Sequence, residues 1–99
     1  MAYVRLADSA YVDLLRLEEF LWQQQDPLSH DLLDFILDAL NVLTHQPAIG
    51  RPAEQGLREL IIKRGSTGYL AKYRIHHNQQ LVEVLRIRHQ RESGYTAEV

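Results

Sequence analysis

Residues 57–89 read LRELIIKRGSTGYLAKYRIHHNQQLVEVLRIRH, and the alternation within this stretch decides the fold. Three runs of strand length, at 57–64, 69–76 and 81–89, are rich in β-branched and aromatic side chains. They are separated by the short segments 65–68 (GSTG) and 77–80 (HNQQ). Because loops this short join antiparallel neighbours, the sequence predicts three consecutive antiparallel strands.

The preceding residues predict one further strand and two helices. Residues 2–7 form a short β-prone run, and Asp8 or Ser9 then offers an N-cap oxygen for a helix over about 10–24. Asp26 and Pro27 predict the start of a second helix that runs to about residue 45. Residues 46–52 contain two prolines and a glycine, and are predicted to form an ordered connector. The element order β-α-α-β-β-β predicts an α+β fold with a helical hairpin packed on a small, mainly antiparallel sheet.

Alternation along the strands predicts which charges share a face. In the third predicted strand we expect the helices to cover Tyr69, Ala71, Tyr73 and Ile75. In the fourth we expect them to cover Leu81, Leu85 and Ile87 with Glu83 and His89, which leaves Val82 and Val84 on the open side. The open face then collects Lys72, Arg74, Arg86 and Arg88, with Lys63 or Arg64 nearby according to a register that the pattern does not settle. Such a face is either simply solvated or a cationic surface for phosphate or an acidic partner segment.

Composition limits the class of protein. The chain has 99 residues, a length typical of a single domain, which we place at 1–99. Its formal net charge is −2, but the charge is unevenly distributed along the chain, because residues 1–50 carry −6 and residues 51–99 carry +4. There are no cysteines, and we expect no signal peptide, no membrane segment and a cytoplasmic location. Arginines outnumber lysines nine to two, which favours bidentate recognition of anions.

The five histidines do not suggest a metal centre, and we predict neither a metal nor a cofactor. His76 and His77 are adjacent and would point to opposite faces of a strand. His89 lies among arginines, where repulsion favours the neutral ring that a general base needs. A purely structural hydrogen bond at the strand end is the competing interpretation.

Several short motifs together resemble the toxins of the RelE/ParE superfamily, over nearly the whole chain. The motifs are Ala7-Asp8-Ser9-Ala10, Asp26-Pro27, residues 47–52 (PAIGRP), residues 56–60 (GLREL), Gly68-Tyr69 with Tyr73-Arg74, and residues 84–92 (VLRIRHQRE). Their order agrees with the predicted sequence of strands and helices. The resemblance implies the toxic half of a bacterial toxin-antitoxin pair, of the kind also known as plasmid-stabilisation proteins.

The resemblance implies one of two mechanisms. A RelE-like protein is an endoribonuclease that cleaves mRNA on the ribosome without a metal, and Lys63, Arg91, Tyr95 and His89 would then be catalytic. A ParE-like protein binds and inhibits DNA gyrase and needs no catalytic group. RelE-like nucleases carry an arginine directly after the Gly-Tyr pair, whereas this chain has Leu70.

We therefore expect a ParE-like toxin, with the nuclease or a degenerate, non-toxic member that still binds antitoxin as the alternatives. The predicted binding residues, for target or antitoxin, are Arg58, Lys72, Arg74, Arg86 and Arg88. The expected partners are a cognate antitoxin and DNA gyrase, or the ribosome and mRNA in the nuclease alternative. A homodimer and a toxin-antitoxin hetero-oligomer are both compatible with the sequence.

Overall fold

A computed structural model describes residues 1–92, 94 and 95. Strand β1 (Tyr3–Leu6) leads into helix α1 (Asp8–Gln23) and helix α2 (Leu32–Leu40). A two-residue strand, β2 (Arg51–Pro52), precedes β3 (Arg58–Arg64), β4 (Thr67–His76) and β5 (Leu81–His89). The sheet order is β1-β5-β4-β3-β2, with β1 parallel to β5 and the other pairs antiparallel. The predicted α+β fold is confirmed.

The second predicted helix is divided into three pieces. Two 3₁₀ segments, Pro27–His30 and Asn41–Thr44, flank α2, and Asp31 interrupts the chain with a φ of −126°. Asp26 caps the first 3₁₀ segment as predicted, since Oδ1 accepts the amide of Leu28 at 2.9 Å. The predicted cap of α1 is wrong: Ala7 occupies that position, and the Ser9 hydroxyl instead donates to the carbonyl of Leu85 in the sheet.

A β-bulge in β5 corrects the predicted assignment of faces. Lys72 pairs with Arg86 and Tyr73 pairs with Val84, so Leu85 is an extra residue without a partner in β4. The bulge reverses the alternation, so that Val82 and Val84 before it and Ile87 after it all point into the core. Val82 and Val84 are therefore covered by the helices, contrary to the prediction, while Arg86 and Arg88 keep their predicted place on the open face.

Helix α1 is attached to the sheet by a buried carboxylate. Asp13 is 1% exposed and lies on the same helical stripe as Ala10, Leu14 and Leu17. Its oxygens accept two hydrogen bonds from the Arg86 guanidinium, at 2.9 and 3.0 Å, and one from the Ile87 amide at 2.8 Å. Strand β1 ends at Leu6, opposite Val84, so its pairing with β5 does not reach Ile87. The Asp13 carboxylate of α1 therefore accepts the hydrogen bond from the Ile87 amide that a neighbouring strand would otherwise accept.

The connector at residues 46–52 is held in place by hydrogen bonds to the Tyr73 hydroxyl. This fully buried side chain donates its hydroxyl hydrogen to the carbonyl of Pro47 at 2.6 Å and accepts the amide of Gly50 at 2.9 Å. A Cβ on Gly50 would lie 2.6 Å from the same hydroxyl, so the close approach requires glycine. Arg58 donates to the carbonyls of Ala48 and Gly50 at 3.1 and 2.8 Å and holds the connector from the side.

Replacing Asp13 with asparagine should destabilise the protein by about 3–5 kcal/mol, because the substitution removes the charge of a buried carboxylate that accepts from Arg86 and from the Ile87 amide. Urea denaturation followed by circular dichroism at pH 7 measures the loss. The matched control is Asp38→Asn on the exposed side of α2, where a change within about 0.5 kcal/mol is expected. Equal losses in the two variants would contradict the role assigned to Asp13.

Candidate functional site

The open face of the sheet carries a group of cations that surrounds one aromatic ring. Lys72, Arg86 and Arg88 lie on β4 and β5, and their charged groups are 4.6, 5.5 and 5.3 Å from the ring centre of Tyr95. The Tyr95 hydroxyl donates to Glu59 Oε2 on β3 at 2.7 Å. We call these three cations and Glu59 the Tyr95 socket. The open face thus holds most of the predicted binding residues, together with a tyrosine that was predicted to be catalytic.

Each charge in the socket also has a second contact within the fold. Lys72 donates to Glu54 Oε2 at 2.5 Å, and Arg86 donates to Asp13. Arg88 donates through one terminal nitrogen to the carbonyl of Glu92 at 2.6 Å. Glu59 Oε1 accepts from Arg51 at 2.7 Å. The cationic surface is therefore largely neutralised by the protein's own groups.

The other two predicted binding residues, Arg58 and Arg74, lie outside the socket. Arg58 shares the face of the sheet that carries the helices and serves the connector. Arg74 lies on the open face opposite Glu83, and makes no ion pair with any residue the structure describes. The register of β3 places Lys63, not Arg64, on the open face, where it is exposed. Arg64 turns to the other face and forms a bidentate pair with Asp26 at 2.6 and 2.8 Å.

His89 lies on the opposite side of the sheet from Tyr95. It pairs across the strands with Tyr69 on the helical face, and the two rings meet edge to face at 5.2 Å. Its Nδ1 accepts the amide of Arg91 at 3.1 Å, so Nε2 carries the hydrogen and donates to Thr67 Oγ1 at 3.0 Å. Both ring nitrogens are used, which fits the structural interpretation of this residue.

A cleft of about 450 Å³ opens beside His89, between the last turns of α1 and the ends of β3 and β5. Burial, followed by the charge of Arg91, lowers the pKa of His89 below its usual value, so the ring is neutral at pH 7. Exposed Arg91 lines this cleft together with Phe20 and Leu21.

The four residues predicted to be catalytic do not come together. Lys63 and Tyr95 lie on the open face, whereas His89 and Arg91 line the cleft on the helical side. Burial and the hydrogen bond to the Glu59 carboxylate raise the pKa of Tyr95 well above its usual range, so its phenol holds its proton firmly. Leu70, which pairs with Ile61 and Arg88, is 4% exposed and places a buried apolar side chain on the open face.

Glu59 stays ionised within the socket. Burial alone would raise its pKa, but the hydrogen bonds from Tyr95 and Arg51 outweigh burial and hold the pKa below the usual value. The carboxylate is therefore an acceptor for the tyrosine at all but acidic pH.

The helical hairpin presents an apolar surface to solvent. Tyr11, Leu15 and Trp22 recur at helical spacing along α1, yet they are 48%, 67% and 49% exposed. Leu33 and Leu37 of α2 lie 39% and 42% exposed, and a small groove between the helices is lined by Tyr11, Leu15 and Leu33. Five large apolar side chains concentrated on one hairpin indicate a binding surface. The sequence contains a signal for this surface, because apolar residues occur on two sides of α1.

Over the described part of the chain, no cluster of three potential metal ligands occurs. None of the helices there has the length and apolar character needed to cross a bilayer.

Two helices on one face of a mixed five-stranded sheet, with a basic strand face on the other side, define a small α+β domain of the RelE/ParE type. The family described as ParE toxin of type II toxin-antitoxin system, parDE, matches residues 4–94. The chain therefore belongs to the ParE toxin family, within the ParE/RelE superfamily of type II toxins.

The relatives come from both branches of the superfamily. Toxin RelE3 of Caulobacter vibrioides is 32% identical over 89 residues, which cover 90% of this chain and 95% of that protein. The toxin fold in the chromosomal ParDE system from P. aeruginosa superposes with a TM-score of 0.75 at 22% identity, covering 90% of this chain and 96% of the other. The E. coli RelBE complex matches at a TM-score of 0.59 and 15% identity over the full length of both chains. At these identities the structural matches establish the fold.

The pair between Asp26 and Arg64 gives a test based on pH. Hydrogen bonds from Arg64, and then from the Leu28 amide, lower the pKa of Asp26 to about 2 from 3.8. A lowered carboxyl pKa stabilises the fold above pH 4, and this stabilisation disappears as the pH falls towards 2. We expect Arg64→Met to be less stable than the wild type at pH 6, and the difference to shrink between pH 4 and pH 2.

Urea denaturation at pH 6, 4 and 2.5 measures that difference. Lys63→Met, an exposed neighbour on the same strand without an ion pair among the described residues, is the control and should differ from the wild type equally at each pH. A difference for Arg64→Met that does not change with pH would contradict the assignment.

Proposed function

We propose that the protein is a ParE-like toxin that arrests growth by binding DNA gyrase, and that a cognate antitoxin neutralises it. The observation that supports binding over catalysis is the separation of the candidate nuclease residues by the sheet. His89 is neutral but uses both ring nitrogens, and Tyr95 donates a hydrogen bond to Glu59 on the other face. A general base and a proton donor on opposite sides of a sheet cannot act on one phosphodiester bond.

The nuclease remains the second candidate, because the relative that is 32% identical is named a RelE toxin. Arg91 and Lys63 are exposed cations of the kind that stabilise a charged transition state. They lie on different faces of the sheet in the free protein, so nuclease action would require the terminal residues to rearrange on the ribosome.

Two assays with the purified protein separate the mechanisms. We expect inhibition of DNA gyrase supercoiling in a dose-dependent manner, and intact mRNA when the protein is added to a translating extract. Cleavage of the mRNA that is abolished by Arg91→Ala would instead establish the nuclease. Growth arrest on induction, relieved by co-expression of the neighbouring antitoxin gene, tests toxicity itself. An absence of arrest would favour the degenerate, non-toxic member.

The apolar hairpin surface is the proposed docking site for the antitoxin. Its side chains Tyr11, Leu15 and Trp22 follow one another along α1 at intervals of four and seven residues, which suits an amphipathic partner segment laid along the helix. Acidic residues flank the surface, since Glu18 lines the groove and Glu19 is exposed. We therefore expect an antitoxin segment with apolar anchors and basic residues at its margin.

Leu15→Asp should weaken antitoxin binding at least about tenfold, because it places a charge at the most exposed apolar side chain of α1, a cost above about 1.4 kcal/mol. Isothermal titration calorimetry with the purified antitoxin measures the change. Gln79→Ala, an exposed polar position between β4 and β5, should leave the affinity within about twofold. An unchanged affinity for Leu15→Asp would place the antitoxin elsewhere.

A further inference from the structure

The side chain of Tyr95 lies over a group of cations on the open face. The side chains of Lys72 and Arg86 are only 14% and 19% exposed, although they lie on a face without helices. The ring of Tyr95 is near three cations at once, and its hydroxyl is held by Glu59. The terminal segment thus covers charges that the strands alone would present to solvent.

The socket has an unused hydrogen-bond donor. The Nε atom of Arg88 is buried and has no hydrogen-bond partner among the described residues. A buried donor without a partner costs about 1–3 kcal/mol, and the aromatic ring beside it supplies no strong acceptor. An acceptor oxygen at the place of the ring would satisfy that donor and would also attract Lys72.

Arg88 is the cation of the socket without a carboxylate partner among the described residues. Lys72 pairs with Glu54 and Arg86 pairs with Asp13, whereas the acceptors of Arg88 are the carbonyl oxygens of His89 and Glu92. A polyphosphate backbone carries closely spaced negative charges and would be repelled by Glu54 and Glu59. One isolated carboxylate has the complementary charge.

We propose that Tyr95 is an internal stand-in for a glutamate or aspartate side chain of a partner protein segment, and that the partner displaces it. The carboxylate takes the place of the ring, accepts from Arg88 Nε and pairs with Lys72, while Arg86 keeps its bonds to Asp13. Glu59 exchanges the Tyr95 hydroxyl for water and retains Arg51. In the free protein the Tyr95 side chain occupies this site, so the intramolecular contact competes with the partner.

The identification of the antitoxin or gyrase as the owner of that carboxylate rests on the proposed function, but the socket itself can be tested without either protein. The probe is an N-acetylated, amidated heptapeptide, Gly-Ser-Gly-Glu-Gly-Ser-Gly, titrated into the full-length protein and followed by the amide NMR signals of β4 and β5. The same peptide with glutamine in place of glutamate is the ligand control, and a ten-nucleotide single-stranded RNA tests a polyanion.

We expect Tyr95→Ala to bind the glutamate peptide at least about tenfold more tightly than the wild type, because the site no longer has an internal occupant. The glutamine peptide should bind neither protein. Tyr95→Phe, which keeps the ring and removes the hydrogen bond to Glu59, should bind with intermediate affinity. Tyr3→Ala, at a tyrosine that is 76% exposed, is the matched control and should behave as the wild type.

Equal affinities of the wild type and Tyr95→Ala for the glutamate peptide would overturn the proposal. A larger gain for RNA than for the peptide would also overturn it, and would assign the socket to nucleic acid. Circular dichroism and the signals of the core residues establish that each variant is folded. Failure of the gyrase or antitoxin assays alone would count against the proposed function and leave the competition at the socket standing.

Discussion

The contact between Asp13 and Arg86 determines how the helical layer sits on the sheet. A carboxylate that is 1% exposed is costly to bury unless its charge and lone pairs are satisfied, and here Arg86 and the Ile87 amide satisfy them. The bulge at Leu85 makes this possible, since it turns Val84 and Ile87 inward while leaving Arg86 at the boundary of the two layers. The position of α1 therefore depends on this ion pair, and the ion pair depends on the bulge.

The same contact changes the role that can be assigned to the basic residues of the strands. Arg86 was predicted to bind a partner, yet its guanidinium serves the fold, and Arg58 serves the connector in a similar way. Lys72 and Arg88 are partly covered near Tyr95, whereas Arg74 and Lys63 on the same face make no ion pair with a described residue. The basic half of the sequence thus becomes a surface on which several cations already contact the protein's own groups. This arrangement favours recognition of a specific acidic group over general attraction to nucleic acid.

The two faces of the protein differ in the chemistry they offer. The hairpin presents apolar side chains such as Leu15 and Trp22 with acidic neighbours, whereas the open face presents cations closed by the chain's own tyrosine. A partner that contacts both would combine apolar anchors with an acidic group, and separate partners could use one face each. Because the sheet lies between the faces, groups on the two sides cannot share a reaction centre. This constraint keeps Lys63 and Tyr95 apart from His89 and Arg91 in the described structure.

The sequence by itself determined the α+β class, the order of the elements and the antiparallel pairing of β3, β4 and β5, because short loops and alternating side chains are local properties. It also placed Asp26 correctly as a cap. It did not determine the face of Val82 and Val84, since one extra residue at Leu85 reverses the alternation and no local pattern marks it. The spacing of Ala10, Asp13, Leu14 and Leu17 puts Asp13 on the buried side of α1. Its partner Arg86, however, lies 73 residues away in the sequence. Only the tertiary structure decided that His89 and Tyr95 lie on opposite faces, because cross-strand register and the return of the terminal segment fix their positions in space.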